Sequence, residues 1–354
     1  MEHQNLDLGK DRDREITGII LAGGSGKRLM PLTADIPKPL VEIKPGYTIM
    51  DKQLIDMRNS GIKKVVALVK HKHEKIRERY GSSWNGLEIL YVVDRGEQAG
   101  TWGAIRNAII SLNLKGSALI MNGDVVTDIP INEIIKKGGF TILGIPMVSS
   151  YGIIDVAGDK VSRFTEKPIL PYYINGGVYF IDDIKELASY GETLHESQNS
   201  IEYHIFPLIS QDSKLNVYKE DNIRDITWKA VDSIKDLEEV HNLYKNRTDK
   251  PWGYELLVAY TEHYLQKKLF IKKGHRTSMH YHDKKMETLH IVYGTVKLDL
   301  EGGKFEILKP GNSRTISPKE VHSIYALETC LIDESSTPYL DDTIRVKDFY
   351  AVRQ

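Results

Sequence analysis

Between Glu15 and Ile234 the chain alternates short β-rich runs with amphipathic helical segments, and the runs are almost continuously apolar rather than alternating with polar residues. A strand of that composition must be buried on both faces, the condition of a parallel sheet covered by helices on each side. The expected strands are Ile16–Leu21, Lys64–Val69, Leu87–Val93 and Ala118–Met121, with helices at Ile49–Asn59 and Thr101–Leu112. In the second helix Trp102, Ile105, Ala108, Ile109 and Leu112 recur at helical spacing, so they are expected in the core. The pattern predicts a doubly wound α/β unit, whose ligands bind beyond the carboxyl ends of its strands.

Past Asp236 the texture changes. The charged helix DLEEVHNLYKNR leads into DKPWGYE, and from there helical periodicity disappears. The runs Tyr264–Ile271, Glu287–Leu298 and His322–Ile332 are punctuated by Gly or Pro, as in a small β-barrel. The chain is also too long, at 354 residues, for one ordinary domain. We therefore expect a flexible segment at 1–14, an α/β domain at 15–247 and an all-β domain at 248–354.

The 48 basic and 49 acidic side chains leave a formal charge of -1, so no global field attracts a nucleic acid. No apolar run approaches the roughly 18 residues of a membrane helix, and the charged start MEHQNLDLGKDRDRE is unlike a signal peptide. These features predict a soluble, cytoplasmic protein without membrane or nucleic-acid partners. The single cysteine, Cys330, excludes an internal disulfide and a cysteine-based zinc site.

The first expected strand runs into LAGGSGKRLMPLT, Leu21 to Thr33, followed by IPKPL at Ile36–Leu40. Glycines directly after a strand let the backbone approach a polyphosphate, and their N–H groups form an anion site. Lys27, Arg28 and Lys38 add positive charge to it. A Walker A loop would need Gly at Leu21 and Ser or Thr at Arg28, and a dinucleotide fingerprint would need Gly at Leu29. The loop thus binds phosphates by a different pattern.

That segment resembles the GGxGxRL signature of the sugar-1-phosphate nucleotidyltransferases. The likeness continues through EQAGTWGA at Glu97–Ala104, NGD at Asn122–Asp124, EKP at Glu166–Pro168, and Asn175 with Gly176 in NGGVYF. The resemblance implies a Rossmann-like domain that transfers a nucleotidyl group from a nucleoside triphosphate to a sugar 1-phosphate and releases pyrophosphate. Leu21, Ala22, Gly23, Gly24, Ser25, Gly26, Lys27, Glu97, Gly100 and Thr101 would bind the nucleotide. Gly152, Glu166, Lys167, Asn175 and Gly176 would bind the sugar phosphate. Arg28 would hold the departing pyrophosphate, Lys38 the α-phosphate and Lys167 the incoming phosphate, with Asp124 on Mg2+. The usual second magnesium aspartate is replaced by Ala230 in TWKAVDSIKDL, which leaves Asp232 as its substitute, nearer the pattern of alcohol-phosphate cytidylyltransferases.

In the second domain Gly274, His280, His282, Glu287 and Gly294 follow G-x5-H-x-H-x4-E-x6-G. Two histidines two apart share one face of a strand, and Glu287 is expected to return on the neighbouring strand after the turn. With His322 they offer three imidazoles and a carboxylate, a set suited to zinc, manganese, iron or nickel. The spacing resembles the cupin family, a double-stranded β-helix or jelly roll. KPWGYE at Lys250–Glu255 narrows the likeness to type II phosphomannose isomerases, although Lys284 and Lys285 stand where that pattern carries Arg. Trp252 and Tyr254 are expected to pack the barrel.

Such a cupin beside a nucleotidyltransferase favours GTP and mannose 1-phosphate, giving GDP-mannose. The alternatives are another hexose, heptose or alcohol phosphate with dTTP, UTP or CTP, or a regulatory subunit that binds sugar nucleotides without turnover. A homo-oligomer is left open.

Overall fold

The computed structural model describes residues 15–94, 100–195, 197–221 and 226–350. The chain forms two compact units. The first comprises the described residues of 1–42, Thr48–Thr127 and Ile131–Ser233, and the second those of Ile43–Tyr47, Asp128–Pro130 and 234–354. The nucleotide-binding expectation at Glu97 and the flexible segment 1–14 lie outside the described residues.

The first unit is built on an eight-stranded sheet. Its strands are β1 (Ile16–Ala22), β2 (Lys64–Val69), β3 (Ser83–Trp84), β4 (Leu87–Val93), β5 (Ser117–Asn122), β6 (Phe140–Val148), β7 (Ile169–Ile181) and β8 (Leu215–Lys219). Their spatial order is β8-β6-β7-β5-β1-β2-β4-β3. The run β5-β1-β2-β4 is parallel, as the apolar sequences require, and Ile19, Val66, Leu68 and Ile120 are all buried in one core. The sheet as a whole is mixed. β7, which was not among the expected strands, lies antiparallel between β5 and β6. Only the second half of β7 is buried, so its sequence does not read as a doubly covered strand.

Helix α1 (Ile49–Asn59) begins with a capping box, in which Thr48 and Asp51 each satisfy the other's backbone N–H. It packs on β1 at Gly18, where a Cβ would come within 2.7 Å of Met57 Sδ. Helix α2 spans Thr101–Ser111 and buries Trp102, Ile105 and Ala108 of the anticipated stripe, while Ile109 and Leu112 are only partly buried against the same core.

The second unit carries the helix Ile234–Tyr244 and two antiparallel sheets. The six-stranded sheet orders Arg247–Lys250, Gly253–Tyr260, Leu265–Ile271, Cys330–Ser336, Glu287–Tyr293 and Ser313–Ile316. The five-stranded sheet orders Phe305–Leu308, Val296–Leu300, His322–Ala326, Met279–His282 and Thr343–Lys347. Two antiparallel sheets around a common core are consistent with a cupin-like jelly roll. Trp252, Leu269, Leu289, Ile291, Leu298, Ile324 and Ile332 fill that core. The runs Glu287–Leu298 and His322–Ile332 each prove to be two strands. At the first break Gly294 turns with φ 79°, and a Cβ there would lie 2.4 Å from Thr329 O.

Candidate active site and candidate metal centre

In the first unit the loops after β1 and β5 leave the sheet side by side, because Leu21 pairs with Asn122 in the ladder. From β1 the chain turns one way to β2, while β5 lies on the other side, so these loops flank a topological switch point. Gly123 N–H donates to Leu21 O at 3.1 Å, and a Cβ on Gly123 would lie 2.5 Å from that oxygen. Only glycine allows this approach. On the other loop Gly26 adopts φ 62° and ψ 24°, and Thr33 Oγ1 donates to its carbonyl at 2.8 Å.

Leu21, Gly24, Ser25, Gly26, Lys27, Arg28, Lys38, Pro39, Gly123, Asp124 and Asp232 line a cavity of about 290 Å³. Lys38 is almost fully buried, and its Nζ donates to Asp124 Oδ2 at 2.8 Å and Asp232 Oδ1 at 2.7 Å. Arg28 Nη2 lies 3.4 Å from the same Asp232 oxygen. Asp232 is far from Asp124 in sequence and reaches it through a two-stranded pairing. Trp228–Ala230 runs antiparallel to Val125–Thr127, and Val231 N–H donates to Asp124 O at 2.9 Å.

The residues expected to bind sugar phosphate lie outside that cavity. Gly152 has no room for a Cβ, which would lie 2.9 Å from Glu166 Oε2, so these two are neighbours. Lys167 has φ 44° and is exposed. Asn175 Nδ2 donates to Tyr179 Oη at 2.9 Å, and Gly176 O accepts from Trp228 Nε1 at 2.9 Å. At Gly177, where the strand register shifts, a Cβ would meet Asn122, so Asn175 and Gly176 lie near the Asp124 turn. Of the residues expected to bind the nucleotide, Gly100 lies against Asn199 O, which accepts from Trp102 N at 2.8 Å, and Thr101 Oγ1 donates to Glu202 at 2.6 Å.

Sequence reasoning missed Gln53. Its fully buried side chain donates to Asn122 O at 2.8 Å and Val125 O at 2.9 Å, which clamps the turn that carries Asp124. A polar residue on the α1 stripe Met50, Leu54, Met57 was the available signal.

In the second unit His280, His282, Glu287 and His322 each aim one donor atom at a common point, all within 4.8 Å of one another. The route differs from expectation. His322 lies directly opposite His280 in the five-stranded sheet, whereas Glu287 belongs to the six-stranded sheet and comes from across the barrel. The turn after His282 therefore crosses between sheets, and Glu287 is not on a neighbouring strand.

Each imidazole is oriented by a backbone carbonyl: His280 Nδ1 lies 2.8 Å from Ser278 O, His282 Nδ1 3.2 Å from Asp342 O, and His322 Nδ1 3.0 Å from Glu320 O. A carbonyl only accepts, so Nδ1 of each ring carries a proton and Nε2 is turned to the cluster. Burial lowers the His280 pKa to about 4 and keeps that ring neutral. Glu287 Oε2 lies 3.3 Å from His282 Nε2 and Oε1 lies 3.0 Å from His322 Nε2. Burial alone would raise its pKa, but the two imidazoles and the Lys285 ammonium hold it well below the usual carboxylate range. Three imidazole Nε2 atoms and one carboxylate fit a borderline divalent ion. Trp252 is buried in the core and Tyr254 stacks on Phe270, as expected of packing residues.

Residues 17–247 match the family model described as Nucleotidyl transferase. The chain is 31% identical to D-glycero-alpha-D-manno-heptose 1-phosphate guanylyltransferase of Campylobacter jejuni, over 52% of this chain and 86% of that protein. It is 30% identical to mannose-1-phosphate guanyltransferase of Saccharomyces cerevisiae, over 66% of each. A solved Bacillus anthracis structure, assigned as a glucose-1-phosphate thymidylyltransferase, superposes with a TM-score of 0.54 at 20% identity, over 67% of this chain and 98% of that one. The chain belongs to the nucleotidyl transferase family, as a sugar-1-phosphate nucleotidyltransferase. Among the described residues no helix is long and apolar enough to cross a membrane.

Proposed function

We propose that the first unit joins GTP to mannose 1-phosphate, releasing pyrophosphate and forming GDP-mannose in the cytoplasm. The observation that carries the reading is the cavity in which the glycine loop, Arg28 and Lys38 face Asp124 and Asp232. Both named relatives transfer guanylyl groups to manno-configured 1-phosphates, which supports this choice of substrates.

The loop amides of Gly24 to Lys27 and the Arg28 guanidinium bind the triphosphate, and Lys167 draws in the sugar phosphate. An oxygen of that phosphate attacks the α-phosphorus, the α–β bridging bond breaks, and pyrophosphate departs with the electron pair. The attacking monoester is already anionic, so the protein supplies position and charge and no base. Two carboxylates converging on one cation, here the Lys38 ammonium, form a donor set that suits Mg2+. Asp124 and Asp232 would hold that ion, whose chemistry there would be to offset negative charge on the leaving group. Lys38 then turns toward the α-phosphate. In the second unit His280, His282, Glu287 and His322 would hold a zinc, manganese, iron or nickel ion, with isomerase-like chemistry on mannose 6-phosphate as the activity to assay.

Pyrophosphate release over a matrix of GTP, CTP, UTP and dTTP against mannose, glucose and heptose 1-phosphates tests the substrate assignment. The highest kcat/KM should fall on GTP with mannose 1-phosphate. Turnover confined to CTP, or binding of GTP with no turnover on any partner, overturns it.

A further inference from the structure

Lys285 is buried behind the histidine cluster, with its Nζ 2.6 Å from Glu287 Oε2 and 2.8 Å from Glu334 Oε1. The turn that carries it is tied down by Asp342, whose Oδ2 accepts from Lys284 N at 2.7 Å and Lys285 N at 2.6 Å. Glu334 comes from the strand Cys330–Ser336, where it follows the buried Cys330 and Ile332 on the inward face. One ammonium thus joins a cluster carboxylate to a second buried carboxylate outside the cluster.

We infer that Lys285 is a positioning residue that makes Glu287 a one-oxygen ligand, an assignment that rests on the metal reading of the second unit. The terminal torsion of a glutamate is soft, so a carboxylate inside a cluster has no orientation of its own. Lys285 holds Oε2, which also lies 3.3 Å from His282 Nε2, and leaves Oε1, 3.0 Å from His322 Nε2 and without a cation among the described residues, as the oxygen that binds the ion. Its charge also balances Glu334, which lies too deep to find a counter-ion in water. A neutral side chain at 285 would free Oε2 to bind alongside Oε1 or to swing away.

The test uses the full chain, Co2+ as the probe, and the visible absorption of the bound ion with its affinity by titration. Lys285→Met should alter the band shape and weaken Co2+ binding by roughly 10–100-fold, the usual effect of losing a partner behind a metal ligand. Lys285→Arg, which keeps a cation on Oε2, should restore the wild-type band. Slow alkylation of the fully buried Cys330 in each variant reports that the barrel is folded. If Lys285→Met does not fold, Glu334→Gln, which removes the other anchor of Lys285, should shift the band in the same direction. A wild-type band and affinity in the folded neutral variant overturn the assignment alone. No Co2+ uptake by the wild type overturns the metal reading and this assignment with it.

Discussion

His322 stands directly across the ladder from His280, with their ring centroids 4.3 Å apart, and both rings are fixed by carbonyls behind them. Preoriented imidazoles lose little freedom on ligation, so the centre should bind one transition-metal ion per chain. At about 100 times its Kd the ion should stabilise the protein by roughly 2.7 kcal/mol. Metal analysis and melting curves with and without chelator check this. His280→Ala with His322→Ala should abolish both the bound metal and the chelator response.

Lys38 holds Asp124 and Asp232 together, so removing its charge acts on both the reaction and the resting site. Lys38→Met should lower kcat by roughly 10²–10³-fold, the scale of losing one preorganised charge contact. Asp124→Asn should do at least as much. Circular dichroism should remain native in both, because the cavity lies at the ends of the strands and not in the core. A near-normal kcat in either variant removes the cavity as the reaction centre.

Two glycines of the cavity should behave in opposite ways. A Cβ at Gly24 meets nothing within 4 Å, whereas one at Gly123 would lie 2.5 Å from Leu21 O. Gly24→Ala should leave stability within about 0.5 kcal/mol while raising KM for the triphosphate, because Gly24 lines the cavity. Gly123→Ala should cost about 1–3 kcal/mol through backbone displacement and reduce turnover as Asp124 shifts. Urea melts beside steady-state kinetics separate the two effects.

Arg247 is buried between the rings of Tyr244 and Tyr254 and makes a bidentate pair with Asp128 at 2.6 and 2.8 Å. Asp128→Ala leaves that guanidinium without its main partner and should cost about 3–5 kcal/mol in urea unfolding. Replacing both partners, as Arg247→Met with Asp128→Leu, should recover most of the loss. Equal destabilisation by the single and double variants would mean that packing, not charge, dominates here.

Much of the first unit was legible because its signals are local. A strand buried on both faces must be continuously apolar, and β2 and β4 run over the same residues that pattern marked out. The position of Glu287 was not legible. Its distance in sequence from His282 suits a hairpin, and only the pairing of Glu287–Tyr293 with Ser313–Ile316 and Cys330–Ser336 reveals the change of sheet. Gln53 was missed for a related reason: it acts on the carbonyls of Asn122 and Val125, to which no local spacing ties it.

The sequence by itself determined the glycine turn after β1, the apolar strands beneath it and the three imidazoles with their carboxylate, since composition and short spacing express these directly. Tertiary structure alone decided that the Lys38 ammonium bridges Asp124 and Asp232, and that the cluster draws on both sheets of the barrel. Such meetings depend on strand pairings between distant segments, whose register is set by what the whole chain can bury at once.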